Sequence, residues 1–323
     1  MSDAPLRAGV IGVGSMGRNH ARVYQELSEC ELVGVADADA AAADAVATEF
    51  DTEAYDTIEL LARADAVSVA VPTPVHEPVV RDCINTGVDV LVEKPFVDDP
   101  AVGRELAEAA ATAGVTLQVG HIERFNPAVR TLLSGFRDLS VIAVTAERLG
   151  PPLEREIAAG VTFDLMIHDI DLLCTLLGAT PTLVSATGAG DGEYATSTWT
   201  NDDGVVASLT ASRLTQERVR RLTVTAEECR IVVDLLDQTV EVHRRSSPEY
   251  VAANGDVRHR IESVIERPFV ESGEPLKREL AAFLEAAAEG TTPLVTAEDG
   301  IRAVELASAV AAKLGRPQQE VSP

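Results

Sequence analysis

The sequence predicts an α/β chain of two domains. A parallel sheet wound with helices comes first, followed by an α/β domain whose sheet is mostly antiparallel. Three observations predict this. Up to Gly120, short apolar runs alternate with helical periodicity, the rhythm of β-α repeats. The runs themselves, such as Asp65-Ala66-Val67-Ser68-Val69-Ala70-Val71, are apolar almost throughout, as strands covered on both faces must be. Beyond residue 140, strand-like runs follow one another across short turn-rich links such as Asn201-Asp202-Asp203-Gly204.

The first strand, Leu6–Ile11, runs into Gly12-Val13-Gly14-Ser15-Met16-Gly17 and then a helix, Arg18–Ser28. Strand, G-x-G-x-x-G and helix together form the fingerprint of a Rossmann dinucleotide-binding domain. Gly12 allows the tight turn, Gly14 lets the backbone approach a pyrophosphate, and Gly17 lets helix pack on strand. The second strand, Glu31–Ala36, ends in Asp37, where a carboxylate grips the adenosine ribose. No Arg or Lys follows before Phe50, and Asp37 would repel a 2′-phosphate. The expected cofactor is therefore NAD rather than NADP.

Next come an alanine-rich helix over Ala38–Phe50 and a short helix near Thr57–Ala62. The strand ending at Val71 leads into Pro72-Thr73-Pro74-Val75-His76, at a carboxyl end where such sheets bind ligands. Helix Glu77–Thr86 and strand Asp89–Val92 lead into Glu93-Lys94-Pro95. Helix Pro100–Ala113 and strand Thr116–Gly120 complete the first domain, residues 1–122. The cofactor site so read comprises Gly12, Gly14, Ser15, Met16, Gly17, Asp37, Pro72, Thr73, His76, Glu93 and Lys94.

The second domain, 123–323, is read as binding substrate and mediating self-association. It opens with helix Pro127–Phe136, strand Val141–Arg148 and a helix over Phe163–Leu177 that closes at Gly178. Strands are expected at Leu183–Gly188, Ala195–Thr200, Val205–Ala211, Arg221–Thr225, Arg230–Asp234 and Thr239–Arg244. Ser246–Glu274 reads as a polar, irregular loop over the site. Helices Lys277–Glu289 and Ala297–Leu314 end the chain.

At 323 residues, 46% of them hydrophobic, the chain has ample core for two domains. Met1-Ser2-Asp3-Ala4-Pro5 lacks a basic n-region and an apolar h-region, so no signal peptide is expected. No apolar run approaches membrane-spanning length. Cys30, Cys83, Cys174 and Cys229 are scattered, as buried thiols of a reducing, cytoplasmic compartment would be. Acidic residues number 52 against 27 basic, a net charge of −25, which would repel nucleic acid and anionic membranes. Only three lysines occur, Lys94, Lys277 and Lys313. Acid excess with scarce lysine suits a halophile-like surface whose self-repulsion is screened by salt; an ordinary acidic protein is the alternative.

Glu93-Lys94-Pro95 at a strand end, and Asp164-Leu165-Met166-Ile167-His168 on a helix of the second domain, join the N-terminal GVGSMG in one ordered set. The set resembles the Gfo/Idh/MocA family, the glucose–fructose oxidoreductases, inositol dehydrogenases and their relatives. That resemblance implies NAD-dependent oxidation of a sugar hydroxyl, with His168 as base, Lys94 as polarising partner and Asp164 in support. The chemistry suits the residues: a departing hydride requires the hydroxyl to lose a proton, which an imidazole takes near neutral pH. An ammonium beside the oxygen stabilises its developing charge. Four residues apart on a helix, Asp164 and His168 share a face. Whether His168 or Lys94 takes the proton is open at this stage. A metal cluster of Asp164, His168, Asp169 and Asp171 is the weaker reading, because no second histidine lies close in sequence. The resemblance also implies a cis bond at Pro95.

The string Val119-Gly120-His121-Ile122-Glu123-Arg124-Phe125-Asn126-Pro127-Ala128, with Glu274-Pro275-Leu276-Lys277, resembles the nucleotide-sugar branch of that family. This implies a UDP-sugar substrate, oxidised at C3 of UDP-N-acetylglucosamine or a close analogue. Arg124 either binds substrate or ties the domains together. Arg148, Arg155, Arg213, Arg218, Arg220 and Arg221 are candidates to meet a pyrophosphate, or to pair with carboxylates. A polyol or free-sugar dehydrogenase and a non-catalytic NAD(P)-binding regulator are the alternatives. The sheet of the second domain is expected to make a homodimer or homotetramer.

Overall fold

The computed structural model describes residues 5–135, 139–152, 160–245, 249–253, 256–260 and 263–315. The chain forms two compact units. One comprises the residues up to Phe125 together with Gly273–Ser308. The other comprises Asn126–Ser272 together with 309–315.

The first unit holds five parallel strands: Leu6–Ile11 (β1), Cys30–Ala36 (β2), Ala66–Val69 (β3), Asp89–Glu93 (β4) and Leu117–Gly120 (β5). Their order is β2-β1-β3-β4-β5. The winding therefore reverses between β1 and β3, and the crevice for a ligand opens at the carboxyl ends of those two strands. The helices are Ser15–Glu26 (α1), Ala40–Glu49 (α2), Thr57–Leu61 (α3), His76–Thr86 (α4) and Pro100–Ala113 (α5). Local chemistry sets their ends. The Asp39 carboxylate accepts from the Ala41 and Ala42 amides to cap α2, and Asp99 accepts from Ala101 to cap α5. Gly87 and Gly114 close α4 and α5 in the left-handed conformation.

Two C-terminal helices differ from the sequence reading, which gave everything past residue 122 to the second domain. Pro275–Glu289 (α8) and Ala297–Lys313 (α9) place Leu276, Leu280, Phe283, Leu284, Ala297 and Ile301 in the cores of the first unit. Burying each large apolar side chain is worth about 1.5–3 kcal/mol, which draws the segment back. Arg22 of α1 also pairs with Glu274 at the start of α8.

The second unit is an eight-stranded sheet ordered β15-β12-β11-β10-β6-β9-β8-β7. Its strands are Val141–Leu149 (β6), Thr182–Ala189 (β7), Tyr194–Thr200 (β8), Val206–Ser212 (β9), Val219–Ala226 (β10), Arg230–Asp234 (β11), Thr239–Arg245 (β12) and Ser263–Glu266 (β15). All neighbours are antiparallel except β6 and β9. Pro127–Gly135 (α6) packs on β11 and β12, and Ile167–Leu177 (α7) packs on β6 and β9. Alternation sets the inner face: Ala195, Ser197 and Trp199 of β8 are buried while Thr196 and Thr198 are half-buried. The polar stretch expected to be irregular instead holds three strands, Glu249–Ala253 (β13), Asp256–Arg260 (β14) and β15. β13 pairs with β14, and β15 adds to β12. Their signal was weak because each is only four or five residues long, too short a run to establish a period. Residues 246–248, 254–255 and 261–262 of that stretch lie outside the described residues.

Candidate functional site

The glycine-rich loop joins β1 to α1. Gly12 has φ +89°, and a Cβ there would lie 2.7 Å from the backbone of Ala70 and Val71, at the end of β3. At Gly17 a Cβ would lie 1.7 Å from the Gly12 carbonyl oxygen. Gly14 is different: a Cβ there meets nothing within 4 Å. Gly14, Ser15 and Met16 are exposed, no side chain caps α1, and its first turn carries no acid. The free amides and the positive helix end therefore face open space, which suits a pyrophosphate. Asp37 ends the adjoining β2 and is half-buried. Its Oδ2 accepts the Val13 amide at 2.7 Å and its Oδ1 the Asp39 amide at 2.9 Å. The carboxylate thus links the two loops that frame an adenosine ribose. Pro72 and Thr73 sit past the end of β3, exposed and half-buried respectively. These residues fit NAD.

Lys94 follows β4 at the carboxyl edge of the same sheet, is half-buried, and precedes a cis Pro95. Its neighbours are held from two sides. Glu93 is 8% exposed, takes the Lys94 amide on Oε2 at 3.2 Å, and meets His20 Nε2 with Oε1 at 3.0 Å. Burial pushes the Glu93 carboxyl up, but the His20 bond and the charges of His20 and Lys94 outweigh it and hold the group below its usual range. His76 is buried at the start of α4 and turns both ring nitrogens to backbone carbonyls of Val71, Pro95 and Phe96. It was expected as a direct cofactor contact; its ring faces backbone instead, because β3 and the turn after β4 close around it.

In the second unit, Asp164 lies in a π-helical turn, Thr162–Met166, that runs into α7. Such turns recur at functional sites because they re-aim side chains. His168 is the second residue of α7; both it and Asp164 are half-buried. Asp164 Oδ2 accepts Arg213 Nη2 at 2.8 Å, and Arg213 Nη1 reaches Glu193 at 3.2 Å. Arg148 and Asp169 form a buried forked pair, with Nε and Nη2 at 3.0 and 2.9 Å. Asp169 therefore points at a cation of the protein, and among the described residues no group of three His, Cys, Asp or Glu is arranged to hold a metal.

The remaining arginine candidates separate. Arg124 is buried, with Nη1 2.9 Å from Asp299 Oδ2 and 3.4 Å from the Leu294 carbonyl, within the first unit. Arg220 donates to the carbonyls of Leu149 and Val219. Arg218 and Arg221 are exposed. Arg155 lies outside the described residues. The pairings Arg213–Asp164, Arg148–Asp169, Arg124–Asp299 and His20–Glu93 escaped sequence reasoning. Arg213 and Asp164 are 49 residues apart, and no spacing foretells their pairing. For His20 the burial, though not the partner, carried a signal, since it shares with Gly17, Ala21 and Tyr24 the buried face of α1.

Comparison with known proteins bears on the family and the fold. Residues 6–121 match the oxidoreductase family with an NAD-binding Rossmann fold, and residues 142–232 match the GFO/IDH/MocA C-terminal domain. The chain is 38% identical over 248 residues to a UDP-N-acetylglucosamine 3-dehydrogenase of Acidithiobacillus ferrooxidans, covering 75% of this chain and 78% of that one. A crystal form of the enzyme of that name from that organism superposes with TM-score 0.86 and 33% identity, over 96% of this chain and 98% of the other. An inositol 2-dehydrogenase of Rhizobium meliloti is 27% identical over 97% of this chain and 98% of its own length. Among the described residues no helix is long and apolar enough to cross a membrane. With both domain models matched in order, a dinucleotide cradle at the β1/β3 reversal and the Glu93-Lys94-Pro95 turn at a strand end, the chain belongs to the GFO/IDH/MocA family of NAD-binding oxidoreductases.

Proposed function

We propose that this protein oxidises the C3 hydroxyl of UDP-N-acetylglucosamine, or of a close UDP-sugar, with NAD. The likeness to a UDP-N-acetylglucosamine 3-dehydrogenase, over 78% of that protein's length, carries the reading. NAD, when bound, supplies the hydride acceptor. The glycine loop and the α1 N-terminus hold the pyrophosphate, and Asp37 holds the ribose. His168 takes the hydroxyl proton as the C3–H bond breaks. Lys94 places its ammonium at the oxygen that gains charge. Asp164, bonded to Arg213, orients His168 or a neighbouring sugar hydroxyl. Arg124 is left out of this set because it is buried and its Nη1 is bonded to Asp299 within the first unit.

The same reading takes the protein as cytoplasmic, self-associating through the sheet of residues 141–266, and acidic in the manner of salt-adapted proteins. The full-length likeness to an inositol 2-dehydrogenase supports a second reading, a polyol dehydrogenase. NADH formation with UDP-N-acetylglucosamine, free N-acetylglucosamine, glucose and myo-inositol, measured in high salt, decides between them. Turnover of inositol or glucose with none on the UDP-sugar would promote the second reading; no turnover on any would support a regulator.

A further inference from the structure

His76 is the first residue of α4 and only 1% exposed. Nε2 lies 2.9 Å from the carbonyl oxygen of Val71, just past β3. Nδ1 lies 3.0 Å from the carbonyl oxygen of Pro95 and 3.1 Å from that of Phe96. One ring thus spans the exit of β3 and the turn that carries Lys94. Carbonyl oxygens only accept, so a neutral ring donates to one end at a time and an imidazolium to both. Burial pushes the imidazole below its ordinary value of 6.5, against the pull of the three carbonyls and of the Glu93 charge. A histidine that merely fills core volume needs neither contact.

We propose that His76 is a positioning residue for Lys94: its ring fills the space between the end of β3 and the Lys94-Pro95-Phe96 turn, and its one N–H donates to a carbonyl there. The proposal rests on the reading of Lys94 as the group that stabilises charge on the reacting oxygen. Lysine has a long flexible stem, so its ammonium is placed only as well as its backbone is held. Glu93, bonded to the Lys94 amide and to His20, secures the turn from one side. On the other side of Lys94, the Pro95 and Phe96 carbonyls lie 3.0 and 3.1 Å from His76 Nδ1. Nothing in this arrangement requires His76 to touch substrate or cofactor.

The test compares His76→Phe, which fills the volume without a donor, with His76→Gln, which keeps one amide donor. Lys94→Met is the reference. Each intact protein is assayed with NAD and UDP-N-acetylglucosamine, and amide hydrogen exchange is followed by mass spectrometry over residues 93–98 and, as control, 80–84. A displacement of 1 Å costs about 10²-fold in rate, so kcat of His76→Phe should fall by up to that factor. KM and the NAD Kd should stay within about threefold, a split that loss of the cofactor site would not give. His76→Gln should lie between, and the Lys94 and Phe96 amides should exchange faster in step with the loss of kcat. The Gln variant carries the test alone where the Phe variant does not fold. Unchanged kcat in a folded His76 variant, with Lys94→Met inactive, would overturn the proposal and leave the reading of Lys94 standing. So would a loss of kcat without faster exchange at 93–98. Full turnover by Lys94→Met would remove the reading of Lys94, and this proposal with it.

Discussion

Two glycines of the β1–α1 loop should respond to alanine in opposite ways. At Gly17 a Cβ would stand 1.7 Å from the Gly12 carbonyl oxygen and 2.8 Å from its carbonyl carbon. Backbone must separate by more than about 1 Å to restore contact distance, in a close-packed interior that yields little. Alanine gains about 1 kcal/mol over glycine inside a helix. Overpacking of this kind costs about 3 kcal/mol or more. The clash wins, and Gly17→Ala should melt several degrees lower. At Gly14 the Cβ meets no protein atom, and φ −63° lies outside the left-handed region that favours glycine. Losing glycine at an N-cap costs about 0.5–1 kcal/mol, and the less flexible unfolded chain returns a similar amount. Gly14→Ala should therefore melt like the parent. Its methyl, however, stands where the pyrophosphate approaches. NAD at 100 times its Kd stabilises the parent by about 2.7 kcal/mol. If the methyl weakens binding about 100-fold, the same NAD stabilises Gly14→Ala by only about 0.4 kcal/mol. Thermal melts with and without NAD read both effects. A Gly14→Ala protein stabilised by NAD as strongly as the parent would refute the placement of the pyrophosphate. A Gly17→Ala protein with the parent melting point would refute the packing argument.

Replacing Asp37 by Ser and Ala38 by Arg should turn preference from NAD toward NADP, because it removes the anion and adds a cation for the 2′-phosphate. Absolute affinity should fall as well, since Asp37 also holds the Val13 amide; a parent that already prefers NADP would refute the assignment. Glu279 is fully buried, and burial, aided by the charges of Glu93 and Glu123, raises its carboxyl well above 4.5. Its contribution to stability is present below pH 4.5 and lost as pH rises toward the folded-state value, so Glu279→Gln should flatten the decline in melting temperature between pH 5 and 9. Parallel pH curves for the two proteins would count against a protonated Glu279. With a net charge of −25, stability should rise with salt as the Debye length shrinks from about 10 Å at 0.1 M to about 3 Å at 1 M. A melting temperature that is flat or falls across that range would reject a surface adapted to salt.

Sequence alone determined the features that rest on neighbours along the chain. The glycine loop between strand and helix, Asp37 at the end of β2, Lys94 at the end of β4 and the Asp164–His168 spacing are all local patterns. So are β6, β8, β9 and β11 of the second unit, where alternation reports one buried face. Tertiary structure decided what depends on elements distant in sequence. The order β2-β1-β3-β4-β5 places the reversal beside Gly12 and the exit of β3, and no local pattern encodes strand order. α8 and most of α9 belong to the first unit because their apolar faces match cores built from residues more than 150 positions earlier. β15 is recognisable only beside β12, since four residues, Ser263-Val264-Ile265-Glu266, are too few to carry a period. The partners of the site's ionisable groups were likewise beyond reach: Arg213 on Asp164, Asp169 on Arg148, Asp299 on Arg124 and His20 on Glu93. Residue type announces that a charge needs a partner once buried, but which opposite charge arrives is set by how strands and helices pack.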